Sequence, residues 1–155
     1  GSYSVILESL SENRVGVAAS VLGVAQGAMA EALAFARTRI VRGKPIIEYQ
    51  AVAHRLADMA TEIEAARWMV YWGAWQVDEG TLTDAAASKV KLVASEAAIR
   101  VTENAIRVMG GAGIMRDHSV GMHHRDALVY VIGEGTSDIQ RNIIGRALKK
   151  GDLEI

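Results

Sequence analysis

The chain has 155 residues, half of them hydrophobic, with a formal net charge of −1 and no cysteine. This length suits a single domain, and the alanine-rich composition with one proline favours packed helices over a β-sandwich or barrel. The balanced charge gives no indication of nucleic-acid binding, and the lack of cysteine excludes disulfides and thiolate metal sites within these residues and favours an intracellular location.

The first residues set the predicted domain limits. Gly1-Ser2 resembles a cloning remnant, so residues 1–10 are treated as a lead-in and residues 11–155 as one domain. The most apolar segment, Val15–Ala30, contains two polar residues and is shorter than the roughly 20 apolar residues that cross a bilayer. It therefore predicts a helix buried on several sides, without a membrane span.

The first predicted helix begins at Ser11, a typical N-cap residue, and ends near Val41. Gly43 suits the position after a helix, and Pro45 cannot continue one. Each glycine inside the helix costs about 1 kcal/mol relative to alanine, which makes sense where another helix or a partner subunit packs closely. These interior glycines are Gly16, Gly23 and Gly27.

The second predicted helix runs from Gln50 to Asp78. Apolar residues recur at steps of three and four along it, as expected for one buried helical face: Val52, Leu56, Met59, Ile63, Ala66, Val70 and Val77. Its second half also carries four aromatic residues, Trp68, Tyr71, Trp72 and Trp75. We interpret that aromatic group as core or as a subunit interface rather than as a ligand site.

Two further helices complete the prediction. Thr83 caps the third, which stops at the glycine turn Gly110–Gly113; a less regular segment with three histidines follows. The last helix runs from about Thr136 to Lys150, with Ile139, Ile143 and Ala147 facing inward. Long amphipathic helices joined by short turns predict an all-α, up-and-down four-helix bundle with short extra C-terminal helices.

Two common site types are weakly supported. His123, His124 and Asp126 could bind a metal, but no histidine follows a glutamate by three residues as in di-iron bundles, so solvated or hydrogen-bonded histidines are favoured. The Gly110–Gly113 turn follows a helix rather than a strand, so it lacks the context of a nucleotide-binding loop. It fits a helix C-cap, or backbone contact with a cofactor from outside this domain.

Glu134 is the strongest candidate for chemistry. It lies between Gly133 and Gly135, directly before the helix capped by Thr136 or Ser137. The flanking glycines leave room for a planar cofactor and a thin substrate, and the Glu134 backbone N–H could donate to an enolate oxygen. This arrangement suits abstraction of a proton α to a carbonyl.

Four motifs in order resemble the C-terminal helical domain of the acyl-CoA dehydrogenases, over nearly the whole chain from about Ser11. Around the base they are Arg125-Asp126-Ala127, Tyr130, Glu134-Gly135-Thr136-Ser137, Ile139-Gln140-Arg141 and Arg146. The others are Arg39–Lys44 with Gln50, the turn Gly110–Gly113, and Arg14 on the first long helix.

The resemblance implies a flavin-dependent reaction. Glu134 would remove the α proton of an acyl-CoA thioester while a hydride passes from the β carbon to FAD, giving the trans-2-enoyl-CoA. Substrate contacts would come from Arg14, Gly135 and Arg146. FAD contacts would come from Thr136 and Asp138, and, toward the FAD of a neighbouring subunit, from Arg39, Gln50, Arg107, Gly110 and Gly111.

The resemblance also implies partners and a location. An electron-transfer flavoprotein would accept the electrons, and the chain would form a homo-oligomer, a dimer or tetramer built from these bundles. Neither nucleic acid nor a membrane span is implied. The location would be the cytoplasm of a bacterium or the mitochondrial matrix of a eukaryote.

The sequence departs from the family pattern at four positions. Arg42 replaces a usual phenylalanine and Arg107 a usual glutamine, which implies stronger phosphate contacts or an altered cofactor pocket. Ser11 replaces a common aspartate. Gly133 replaces a tyrosine that often precedes the base, which should widen the pocket for a branched, cyclic or otherwise bulky acyl group.

Three alternatives remain open. Some family members place the base on the first long helix, at the position of Asn13; Glu12 is one residue away and would face elsewhere. The chain could also be a non-catalytic, oligomerising bundle, either as an isolated domain or as a partner subunit, because the missing domains supply most of the flavin site in the family. A third alternative is a relative with oxidase-type chemistry.

Overall fold

The computed structural model describes residues 2–153, with side chains from residue 10 onward. Its helices are α1 (Ser2–Thr38), α2 (Gln50–Asp78), α3 (Asp84–Met109), α4 (Val120–Ile132) and α5 (Ser137–Lys150). Two short strands, β1 (Ile40–Val41) and β2 (Lys44–Pro45), pair antiparallel between α1 and α2. Single 3₁₀ turns span Ile46–Glu48 and Gly110–Ile114.

Helix α3 is the centre of the bundle, because it packs against α1, α2, α4 and α5. Most of its residues are buried, and alanine and serine predominate among them, which lets the neighbouring helices approach closely. Thr83 caps the helix as predicted, its side chain accepting the Ala86 N–H at 3.1 Å. The predicted all-α bundle is confirmed.

Helix α2 has the predicted limits and the predicted buried face. Leu56, Met59, Ile63, Ala66 and Val70 all lie in the core. The four aromatic residues do not: Trp68, Tyr71, Trp72 and Trp75 are 38–65% exposed on this chain. The core interpretation of the aromatic group was therefore wrong, and the interface interpretation stays a prediction.

Gly73 lies where α2 packs tightly against its neighbours α3 and α1. A Cβ atom there would lie 2.8 Å from a methyl group of Val90 and 3.3 Å from one of Val15, both buried. Val90 is β-branched and stiff, so it has little freedom to move away.

We expect Gly73→Ala to destabilise the fold by about 1–2 kcal/mol, because overpacking outweighs the better helix propensity of alanine. The matched control is Gly145→Ala in α5, where nothing lies within 4 Å of the added methyl group. Urea unfolding should show that the control gains roughly 0.5–1 kcal/mol. Two shifts of the same sign would contradict the packing argument.

The predicted end of the first helix was wrong by three residues. Helix α1 stops at Thr38, and Arg39–Val41 turns into a β-hairpin instead. Arg42 and Gly43 form its two-residue turn with φ of 48° and 83°, the positive values that match the twist of a hairpin. The Tyr49 hydroxyl donates to the Val41 carbonyl oxygen at 2.7 Å and fixes the hairpin to the start of α2.

The predicted start of the first helix was also wrong, because α1 begins at Ser2 and Ser11 lies within it. Ser11 is buried, and its hydroxyl donates to the Asp84 carboxylate at the start of α3. The residue therefore joins two helices rather than capping one. Gly1, part of the predicted remnant, lies outside the described residues.

Helix α1 is the one described helix whose length and hydropathy would allow it to cross a membrane, over Leu10–Thr38. Core helices of bundles pass the same test, and one face of α1 is fully buried against its neighbours through Ala18, Val21, Ala28 and Ala32. The opposite face is exposed and carries small residues, among them Gly16 and Gly23.

The segment predicted to be less regular contains a further helix, α4, with His123 and His124 in its first turns. Glu31 of α1 fixes its start, because its carboxylate accepts the Ser119 N–H at 3.1 Å and the Ser119 hydroxyl at 2.6 Å, and lies 3.0 Å from His118 Nδ1. Burial raises the pKa of Glu31, but these hydrogen bonds outweigh it and the pKa is lowered overall. A cap supplied by another helix leaves no local sequence signal.

Helix α5 was predicted within one residue, but its inward face was partly wrong. It packs against α3. Ile139 is 47% exposed, while Ile143 and Ala147 are half-buried. Ser137 and Gln140, two polar residues, are the buried ones instead.

Candidate functional site

The turn between α4 and α5 holds Glu134 in an unusual backbone conformation. Helix α4 ends at Ile132, and Glu134 and Gly135 have φ of 53° and 90°, both left-handed. A non-glycine residue in this region carries strain, and such strain is concentrated at functional sites. The Thr136 side chain then caps α5 by accepting the Ile139 N–H at 3.3 Å. The Glu134 side chain is left exposed.

Two buried side chains hold the carbonyl groups of this turn. Gln140 Nε2 donates to the Glu134 oxygen at 3.1 Å and to the Gly135 oxygen at 3.0 Å. Lys91 Nζ of α3 donates to the same Gly135 oxygen at 2.9 Å. Both side chains are fully buried. The turn is therefore fixed from beneath by helix α3 and by the first turns of α5.

The charge of Lys91 links the turn to helix α1. Burial lowers the pKa of Lys91 from its ordinary value of 10.5; Glu96 and Glu134 counteract that effect, and Arg14 adds to it. The amine therefore interacts electrostatically with both Arg14 and Glu134, two of the residues predicted for the site.

We expect the stability of the wild type relative to Lys91→Met to increase as the pH rises toward the ordinary lysine pKa. Because the pKa of Lys91 is lower in the folded state, the unfolded chain binds more protons in that range, so raising the pH favours folding. Urea unfolding of both proteins between about pH 7 and about pH 10 checks this, since other groups cancel in the difference. A falling difference would contradict the burial of a charged amine.

Arg14 is held at the same end of the bundle. Its side chain is 12% exposed and pairs with Asp84, Nη1 to Oδ1 at 3.0 Å. Asp84 also accepts the Ser11 hydroxyl, so one carboxylate fixes two α1 side chains. The neighbouring Glu12 and Asn13, considered for an alternative base, are both exposed.

The other end of the bundle contains a largely apolar cavity of about 730 Å³. The β-hairpin supplies Arg39, Val41 and Arg42, and the end of α3 with the glycine turn supplies Met109 to Ala112; Phe35, Ile46, Tyr49, Val52 and Val108 complete the lining. Gly110 has φ of 60°, and no atom lies within 4 Å of a Cβ added at Gly111, so this backbone is open to close approach. Apolar walls with two guanidinium groups suit an amphipathic anion such as a dinucleotide.

Two of the residues predicted to contact the neighbouring cofactor lie outside that lining. Gln50 is exposed at the first position of α2. Arg107 is exposed on α3 and forms an ion pair with Glu103 one turn earlier. Of the two added cations, Arg42 therefore lines the cavity, whereas Arg107 lies outside the lining and is paired with Glu103.

The remaining predicted residues line two smaller cavities. Thr136 and Asp138 lie in a cavity of about 370 Å³ between α3, α4 and α5, where Arg141 bridges Asp138 and Glu96. Arg146 lines another of about 420 Å³ between the start of α3 and the end of α5, together with Asp84.

The histidines considered as metal ligands form hydrogen bonds with hydroxyl groups instead. His124 Nδ1 is 2.9 Å from the Thr102 hydroxyl, and His123 Nε2 is 3.4 Å from that of Ser119. Across the described part of the chain, no three histidine or carboxylate side chains are grouped as a metal site would require.

Sequence reasoning missed Lys91 and Asp84 altogether and treated Gln140 only as part of a motif. One signal was available for Lys91: it follows Ala87 by four residues and precedes Ala94 by three, so it occupies a position of the buried stripe. A lysine at a buried position requires a partner, which the sequence alone could not name.

Comparison with known proteins identifies the family. Residues 3–149 match the family described as acyl-CoA dehydrogenase, C-terminal domain. The probable acyl-CoA dehydrogenase YngJ of Bacillus subtilis is 43% identical over 96% of this chain and 39% of its own length. The caffeyl-CoA reductase-Etf complex subunit CarC of Acetobacterium woodii is 40% identical over the same shares.

Solved structures agree. Butyryl-CoA dehydrogenase from Megasphaera elsdenii matches with a TM-score of 0.88 and 41% identity, over 90% of this chain and 37% of that one. PigA with FAD and proline matches with a TM-score of 0.86 and 30% identity, over 91% and 37%. The chain spans about two fifths of the length of the relatives it matches.

These matches define a helical domain of a flavin-dependent class of oxidoreductases. The chain belongs to the acyl-CoA dehydrogenase family and corresponds to the C-terminal domain of its members.

Proposed function

We propose that the protein containing this chain is an FAD-dependent acyl-CoA dehydrogenase and that Glu134 is its base. The observation that carries the proposal is the exposed carboxylate on a left-handed turn whose carbonyl groups are held by two buried side chains. Family membership supports the reaction class.

The reaction divides between this chain and the cofactor. The Glu134 carboxylate takes the α proton of the acyl thioester, and its backbone N–H donates to the thioester oxygen as charge develops there. FAD, when bound, supplies the acceptor for the hydride that leaves the β carbon. The double bond between the α and β carbons forms as the α proton and the β hydride leave. The product is therefore the trans-2-enoyl-CoA.

Two groups of residues are proposed for the cofactor. Thr136 and Asp138 contact the FAD of the same subunit. The cavity bounded by Arg39, Gly110 and Gly111, with Gln50 and Arg107 at its margin, receives part of the FAD of a neighbouring subunit. The cavity suits this role because it combines apolar walls with guanidinium groups and an open glycine backbone.

For the substrate we propose contacts from Arg14, Gly135 and Arg146. Arg14 is pre-positioned by Asp84, which lowers the entropic cost of ordering a long side chain on binding. The absence of a side chain at Gly133 supports a branched, cyclic or otherwise bulky acyl group.

The proposed partners follow from the relatives. An electron-transfer flavoprotein is the proposed electron acceptor, supported by the relative that is a subunit of an Etf complex. The cytoplasm or the mitochondrial matrix is the proposed location.

We also propose that the chain forms a homo-oligomer. Helix α2 exposes Trp68, Tyr71, Trp72 and Trp75 as one apolar patch, which is unusual for the surface of a monomer. This observation also favours the alternative of a purely oligomerising bundle, so the association state alone does not separate the two functions.

Anaerobic reduction of the flavin separates them. The full-length flavoprotein containing this chain should lose its oxidised flavin absorbance when a saturated acyl-CoA is added. A series of straight, branched and cyclic acyl groups then tests the proposed pocket. A protein that carries FAD but is bleached by none of them is not an acyl-CoA dehydrogenase.

The electron acceptor needs a separate assay. Reoxidation by an electron-transfer flavoprotein rather than by oxygen is the expected result. Rapid reoxidation by oxygen would indicate oxidase-type chemistry instead.

A further inference from the structure

A lysine with no exposed surface holds the turn that carries Glu134. Lys91 lies on α3, 44 residues before Gly135 in the chain, and its Nζ donates to the Gly135 carbonyl oxygen at 2.9 Å. This is the one hydrogen bond of Lys91 Nζ among the described residues. Burying an ammonium group costs free energy unless the group is paired or hydrogen-bonded. The hydrogen bond to the turn is therefore the interaction that offsets the burial of Lys91.

Gln140 of α5 supports the same turn. Its amide nitrogen donates to the Glu134 and Gly135 oxygens, and it too is fully buried. A Cβ atom at position 135 would lie 2.9 Å from that nitrogen. Glycine is therefore required both by the backbone conformation and by the approach of Gln140.

We propose that Lys91 is a positioning residue for Glu134: together with Gln140 it fixes the Gly135 carbonyl and so keeps the turn left-handed with its carboxylate exposed. The inference rests on the proposed role of Glu134 as base. Neither Lys91 nor Gln140 touches substrate in this arrangement, since both lie beneath the turn.

The positive charge of Lys91 matters as well as its reach. A hydrogen bond from a charged donor is roughly twice as strong as one between neutral groups. The charges acting on the amine are Glu96 from its own helix, Arg14 from α1 and Glu134 from the turn. Glu134 and Lys91 attract each other, so the residue that positions the base is itself stabilised by the charged base.

Amide hydrogen exchange on the 155-residue chain tests the structural part of the proposal. Replacing Lys91 with methionine keeps the length but removes the donor. The Ile139 and Gln140 amides, which bond to Thr136, should exchange roughly 10- to 100-fold faster, while amides in α2 should not change. The control is Lys89→Met, a half-buried lysine of the same helix. Unchanged exchange at Ile139 and Gln140 would overturn the proposal.

A second variant covers the case in which Lys91→Met does not fold. Gln140→Leu removes the other donor and leaves Lys91 in place, so exchange near the turn should accelerate while the core of α3 remains protected. Equal exchange in this variant and the wild type would also count against the proposal.

Kinetics of the full-length flavoprotein separate positioning from general stability. Lys91→Met should lower kcat by about 100-fold through misplacement of the base, with little change in KM. A loss of folded enzyme would instead lower active-site content without changing turnover per bound flavin. Lys91→Arg keeps the charge and should recover part of kcat; no recovery together with normal exchange would contradict positioning.

The two proposals fail in different ways. If Glu134→Gln retains turnover, the assignment of the base is wrong, although Lys91→Met still loosens the turn. If Lys91→Met leaves exchange and kcat unchanged while Glu134→Gln is inactive, the base stands and the positioning role is wrong.

Discussion

Replacing Glu134 with glutamine should lower the rate of flavin reduction by about two to four orders of magnitude in the full-length flavoprotein. Glutamine keeps the size and the hydrogen-bonding ability of the side chain but cannot accept the α proton. FAD content and acyl-CoA binding should remain close to those of the wild type, because the turn is held through backbone carbonyls rather than through this carboxylate. Rapid mixing of a saturated acyl-CoA with the oxidised enzyme measures the rate of flavin reduction directly.

The matched control is Glu12→Gln, which neutralises an exposed glutamate of α1 near the alternative base position at Asn13. This control should reduce its flavin at the wild-type rate. If Glu12→Gln were the slow variant and Glu134→Gln the normal one, the base would belong to α1.

Replacing Gly135 with alanine should have the second largest effect. The residue would have to adopt φ near 90°, and its methyl group would lie 2.9 Å from Gln140 Nε2. Backbone strain of about 1–2 kcal/mol and displacement of a buried side chain together predict a loss of roughly 2–4 kcal/mol in unfolding free energy. Flavin reduction should slow as well, because displacing Gln140 releases the Glu134 carbonyl.

Gly80→Ala separates strain from crowding. Gly80 has φ of 66°, but nothing lies within 4 Å of its added methyl group. Thermal unfolding should show a loss of only about 1–2 kcal/mol for this variant, from strain alone. Equal losses in the two variants would mean that the contact with Gln140 is unimportant.

Local patterns predicted most of the helices. The apolar stripe of α2 and the Thr83 cap of α3 were found because each signal repeats at, or depends on, spacings of three or four residues along the chain. The start of α1 and the existence of α4 were missed because Ser11 and Ser119 make distant contacts: Ser11 with Asp84, and Ser119 with Glu31. Such contacts join residues more than 70 positions apart and leave no periodic trace.

The candidate site divides in the same way. Glu134 was predicted from its flanking glycines and from a family motif, which are both local, and its role as base stays a prediction. Lys91 was missed because a lysine within an alanine-rich helix resembles a solvent-facing residue until the turn above it is known. The exposed tryptophans were misassigned for a different reason. An amphipathic pattern cannot distinguish a residue of the core from a residue at an interface between subunits.

Helix α3 sets the distance between the two ends of the bundle. It carries Lys91 beneath the proposed base and Met109 at the cavity proposed for the FAD of a neighbouring subunit. Eighteen residues separate these two positions, or about 27 Å of continuous helix. Under the proposed function, α3 is therefore a rigid spacer between the proposed base and the cavity proposed for the neighbouring FAD. Removing one residue between them would shorten the spacer by only about 1.5 Å but rotate one half against the other by about 100°. This segment of α3 should therefore tolerate substitutions far better than insertions or deletions.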